Sequence, residues 1–162
     1  MTNFPRLVTA FACLATASFA FGQASLKCQV IPKSLVAMRH CYRPLLVFSP
    51  RANDPRLSEQ GKILDADADD MMDRFVMLTP VLPDSKGYRT PLDTPYTVLS
   101  AGEMKAIRER FHVSEDVFLV LLLDEDGSIE LRSARPVPSA RLNALIDTLP
   151  KRRIERERPH AN

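Results

Sequence analysis

The sequence predicts an α/β domain: a four-stranded mixed sheet with helices on both faces. Three stretches predict it. Val117-Phe-Leu-Val-Leu-Leu-Leu123 is wholly apolar, the mark of a strand buried on both sides. Leu45-Leu-Val-Phe-Ser49 is a second apolar strand, and it runs straight into a helix start at Asp54-Pro55. Behind that start Leu57, Gly61, Leu64, Ala68, Met71 and Phe75 fall at alternating steps of three and four, which is one face of a helix.

The length of 162 residues fits one domain with a modest core, and 45% hydrophobic with 26% charged residues is ordinary globular composition. Thirteen prolines against five glycines indicate stiff, irregular connections. A net charge of +2 implies no strongly basic face and excludes a dedicated nucleic-acid binder.

Residues 1–22 read as a secretory signal peptide: Arg6 precedes an apolar, alanine-rich run over residues 7–21, and the small residues Ala20, Gly22 and Ala24 offer cleavage points. The competing reading is a membrane anchor, but the run of about 15 residues is shorter than the roughly 20 a span needs, so no stable span is expected after cleavage. The implied location is periplasmic or secreted. Cys13 leaves with the signal, and Cys28 and Cys41 remain in an oxidising compartment. Three states stay open for them. They form a structural disulfide contributing about 3 kcal/mol, they are unpaired or bonded between chains, or they are redox-active, although their spacing is far from C-x-x-C.

Residues 23–42 form an N-terminal extension, in which residues 34–40 suggest a short helix or turn. Residues 43–150 are the domain proper. After the first strand, Asp54 is an N-cap and Pro55 sits at the first helical position, where its missing N–H costs nothing. The helix is expected to end near Met72 or Asp73, with a strand over residues 74–79 stopped by Pro80. Within it, Asp65, Asp67, Asp69 and Asp70 have the beginnings of a calcium loop. The sixth position is Asp70 instead of glycine and the twelfth is Val76 instead of glutamate, so the expectation is a solvated acidic face. Residues 79–99 are a long proline-rich link in which Lys86, Tyr88 and Arg89 are the side chains able to meet a ligand. Ser100-Ala-Gly-Glu103 is a capping box opening a helix with Met104, Ile107 and Phe111 on its inner face. The apolar third strand turns at Asp126-Gly127 into an alternating edge strand, and a last helix over residues 139–149 is ended by Pro150. Residues 151–162 read as a charged, solvated tail.

The order βαβαββα, with the first and third strands central, is the thioredoxin-like topology. From residue 39 to residue 153 the chain resembles domain of unknown function 4174, a thioredoxin-like family of exported bacterial proteins with extracellular vertebrate relatives that contain sushi repeats. The likeness rests on Arg43-Pro-Leu-Leu-Val-Phe-Ser-Pro50 with Asp54-Pro-Arg-Leu57, on Phe111-His-Val113, and on Asp126-Gly127 with Leu131-Arg-Ser133. Leu145-Ile-Asp-Thr-Leu-Pro150 with Arg152-Arg153 completes it. The resemblance implies fold and export, because the family has no settled biochemical function.

Aligned on a thioredoxin strand, Asn53-Asp-Pro-Arg56 stands where C-G-P-C would, and residues 114–117 lack the substrate-binding proline of that fold. Thiol–disulfide exchange needs a thiolate, and the corner has none. The expectation is therefore an exported domain, redox-inactive at the usual site, that acts as a binding module for a protein, a peptide or a small anion. Ser49, Arg51, Asn53 and Arg56 are its candidate contacts, because helix N–H groups flanked by arginines suit an anion. The alternatives are an oxidoreductase working through Cys28 and Cys41, or a small-anion binder at Arg51 and Arg56. No catalytic residue, cofactor or metal is assigned: His40, His112 and His160 are scattered and no metal-ligand spacing occurs.

Overall fold

The computed structural model describes residues 28–157. The signal-peptide reading of residues 1–22, Cys13, and the final residues including His160 lie outside the described residues. Among those described, no helix is long and apolar enough to cross a membrane.

The elements run α1 (Leu35–Met38), β1 (Arg43–Phe48), α2 (Pro55–Ala66), α3 (Ala68–Asp73), β2 (Val76–Val81), α4 (Ala101–Phe111), β3 (Leu119–Leu123), β4 (Ile129–Ser133), α5 (Ser139–Ile146) and α6 (Pro150–Glu157). They make one four-stranded mixed sheet in the order β2-β1-β3-β4. β1 pairs parallel with β2 and antiparallel with β3, and β3 pairs antiparallel with β4. The two most apolar strands are thus the central pair, as the sequence requires. Every residue of β1, β2 and β3 is buried, so both faces of the sheet are covered. β4 is an edge strand in which only Leu131 is buried, Ile129 and Arg132 are exposed, and the register with β3 shifts between Leu122 and Leu123. This is the thioredoxin-like arrangement.

Several local expectations hold at the level of atoms. Asp54 accepts from the Arg56 N–H and caps α2 at 2.9 Å. Ser100 accepts from the Glu103 N–H at the start of α4. Ser34 caps α1 by accepting from the Ala37 N–H.

Five expectations are corrected. The single long helix is two, because the backbone at Asp67 leaves helical geometry and its carboxylate accepts from the Ser139 hydroxyl at the head of α5. Gln60, not Gly61, takes the buried position between Leu57 and Leu64, and its amide donates to and accepts from the Val137 backbone.

Pro80 does not stop β2 but lies within it. The N–H and C=O of Leu78 both point away from β1, to Pro95 O and the Thr97 N–H. Pro80, two residues on, points its nitrogen the same way, where a missing N–H removes no ladder bond. The segment around Tyr96 covers this sheet edge.

The residues after Pro150 form helix α6 as far as Glu157, and Arg152 is buried in it. The acidic run is likewise not simply solvated. Asp65 accepts from the N–H groups of Leu92, Asp93 and Thr94 and pins the long link, and Asp73 meets Arg152.

Candidate functional site

Two ends of β1 carry the residues of interest. At its C-terminal end the chain turns through Ser49 to Asp54 into α2. Ser49 is buried, and its hydroxyl donates to Arg51 O at 2.8 Å. Arg56 curls back on its own cap: Nε and Nη2 donate to the two Asp54 oxygens at 3.0 and 2.7 Å, and the guanidinium lies 4.5 Å from the Phe118 ring centre. The hydrogen bond from Arg56 holds the Asp54 carboxyl below its ordinary range. Helix start and arginine are therefore satisfied by one carboxylate, and the positive field that would draw an anion is cancelled.

Arg51 and Asn53 stay exposed and line an open hollow of about 360 Å³ with Pro83, Asp84 and Lys86 of the long link. So of the four predicted contacts, the structure buries Ser49, ties the half-exposed Arg56 to Asp54, and leaves Arg51 and Asn53 at the surface.

Beneath the corner lies Arg108, which the sequence reading missed. Its guanidinium donates to Ser49 O, Val81 O and Ser114 O at 2.7–2.8 Å and sits 5.6 Å from the Phe48 ring centre. It ties the ends of β1 and β2 to the turn before β3. Burial lowers its hold on its proton. The available signal was its place four residues after Met104, on the buried face of α4.

The other end of β1 is built differently. Cys28 and Cys41 are joined as a disulfide with Cα atoms 5.6 Å apart. After α1, a left-handed turn at His40 (φ 61°) swings the chain towards β1, and the His40 N–H bonds Glu125 O at 2.8 Å. Cys41 is half-buried there, while Cys28 is exposed. The segment leading from Cys28 to α1 is tied down by the Tyr42 hydroxyl, which donates to Gln29 O, and by the Thr97 hydroxyl, which donates to Pro32 O, both at 2.8 Å.

Two residues beyond Cys41, Arg43 is fully buried at the head of β1. It holds Glu155 of α6 through two hydrogen bonds of 2.7 and 3.2 Å, Asp124 at 3.1 Å and Arg74 O at 3.0 Å, with Glu125 at 3.6 Å. Burial opposes ionisation of Glu155, but its hydrogen bonds with Arg43 prevail and keep it ionised below its ordinary range. Glu125 is pushed the other way, by burial and by its hydrogen bond with Glu155. A second arginine, Arg152, joins α6 to Asp147 and to Asp73.

Solved structures share this fold. A Plasmodium yoelii thioredoxin peroxidase I matches with a TM-score of 0.55 at 19% identity, covering 79% of this chain and 84% of that one. A reduced Plasmodium vivax 2-Cys peroxiredoxin matches at 0.56 and 20%, covering 79% and 76%. Plasmodium yoelii Prx1a, modified at its N-terminus, matches at 0.58 and 20%, covering 79% and 84%. At such identities the likeness establishes the thioredoxin-type fold.

The expectation of a redox-inactive binding module is corrected here. The corner indeed has no thiol. The chain nevertheless carries a joined cysteine pair at the opposite end of β1, on a fold it shares with a thioredoxin peroxidase and peroxiredoxins. The alternative based on Cys28 and Cys41 accounts for these findings better. No curated protein matches the chain. The family model described as domain of unknown function (DUF4174) matches residues 34–155, and the chain belongs to that family.

Proposed function

We propose that this chain is an exported thiol–disulfide oxidoreductase whose redox pair is Cys28 and Cys41. The observation that carries the reading is the disulfide between them, with the Cys28 side at the surface. An incoming thiolate attacks Sγ of Cys28, the more exposed residue of the pair. The Cys28–Cys41 bond breaks, and Cys41 leaves as a thiolate that takes a proton from water. A second thiol on the same substrate then displaces Cys28. The substrate is oxidised to a disulfide and the pair is reduced to two thiols, so the two electrons balance.

The fold shared with a thioredoxin peroxidase and peroxiredoxins supports a redox role, and the signal-like pattern of residues 1–22 supports export to a compartment where such a pair persists. The corner at Asn53-Asp-Pro-Arg56 has no thiol and takes no part in the step.

The test is turnover of insulin reduction by dithiothreitol, with the mature protein and its Cys41→Ser variant. The expected result is acceleration by the wild type that the substitution abolishes. No acceleration over dithiothreitol alone, or equal acceleration by the variant, overturns the reading.

A further inference from the structure

Around the disulfide the surface is unusually apolar. Val30 is 84% exposed, Ile31 57% and Val36 74%. Val30 and Ile31 follow Cys28 by two and three residues, and Val36 lies in α1, which ends just before the turn into Cys41. Water meets three branched aliphatic side chains here at a cost that only a partner can remove.

The charge is one-sided as well. From Cys28 to Tyr42 the chain has no acidic residue, whereas Lys33 and Arg39 are exposed. The nearby acids of the β3–β4 turn have cations of their own, Glu125 beside the buried Arg43 and Asp126 in the field of Lys151. A thiolate, and any acidic residue near it, approaches a locally positive surface.

We propose that the substrate of this pair is an extended, cysteine-bearing polypeptide with apolar residues beside its cysteine and acidic residues further out, docked on Val30, Ile31 and Val36. The proposal rests on the redox role of Cys28 and Cys41 and names its substrate class. A small thiol has nothing to lay on those side chains. A polypeptide buries them and brings its thiolate to Cys28 Sγ. The step is the one above: the substrate sulfur bonds to Cys28, the Cys28–Cys41 bond breaks, and Cys41 carries away the electron pair.

The oxidised protein is mixed with each of three thiols, and formation of the mixed disulfide is followed by mass spectrometry. The probes are glutathione, a pentapeptide with cysteine between valine and leucine residues, and the same peptide with serine and asparagine in their place. The apolar peptide is expected to react about tenfold faster than the polar one. In Val30→Ser and Val36→Ser proteins that ratio falls towards one, while Leu92→Ser, at an exposed position in the long link, leaves it unchanged. Equal rates for the two peptides, or a ratio insensitive to Val30→Ser and Val36→Ser, overturn the docking surface while leaving the redox pair standing. No reaction with any of the three, glutathione included, overturns the redox pair and the substrate class with it.

Discussion

The two ends of β1 differ in what they leave unsatisfied. At the C-terminal end Asp54 caps α2 and neutralises Arg56, and Ser49 and Arg108 close the remaining backbone groups. At the N-terminal end a disulfide between exposed Cys28 and half-buried Cys41 adjoins apolar and basic surface, and a fully buried arginine lies two residues further in. The difference teaches that a shared fold does not fix where chemistry sits. The corner is built as a structural joint, and the bond proposed to exchange lies at the other end of the same strand.

The largest expected effect falls on Arg43. Replacing it with methionine leaves Glu155 and Asp124 buried without their cation and should cost about 3–5 kcal/mol in denaturant unfolding. If Arg43→Met unfolds within about 1 kcal/mol of wild type, the Arg43 cluster does not hold the N-terminal end of β1 to α6.

Next comes the disulfide. Its cysteines are 13 residues apart, and reduction should lower stability by about 3 kcal/mol through the loop entropy returned to the unfolded chain. Amide exchange should rise first at residues 28–34, whose other ties are the Tyr42 and Thr97 hydroxyls. An unchanged exchange pattern on reduction would remove the distinction between the two ends.

The corner should respond less. Asp54→Ala loses the cap and the Arg56 pair and should cost about 1–2 kcal/mol. The pH dependence has a definite sign. Arg56 holds the Asp54 carboxyl below its ordinary value, so its stabilisation is present above the ordinary carboxylate range and is lost as pH falls through the lowered folded value. Asp54→Asn should therefore flatten the acid limb of the stability profile. An acid limb as steep as wild type would show that the pair contributes nothing there.

The sequence made the central strands, the α2 and α4 caps and the β3–β4 turn legible, because each is a local pattern of apolarity or capping. It did not reveal α6, since a helix with arginines in its first turn reads as solvated until Arg43, Asp73 and Asp147 are brought in from distant positions. Nor did it place Pro80 inside β2, because only the sheet order shows that its nitrogen faces away from β1. At the candidate site the cysteines and their expected disulfide were legible, and the structure joins them. The missing C-x-x-C directs attention to the corner, where Arg56 reads as available for an anion in sequence although Asp54 holds it in the fold.

The central claim is that the Cys28–Cys41 bond exchanges as part of its work. The most direct measurement is its reduction potential, from equilibration of the mature protein in glutathione buffers with the thiol and disulfide forms counted by mass spectrometry. The account predicts a value in the range of exchange catalysts, about −120 to −270 mV, and a potential below about −300 mV, that of a structural staple, would contradict it.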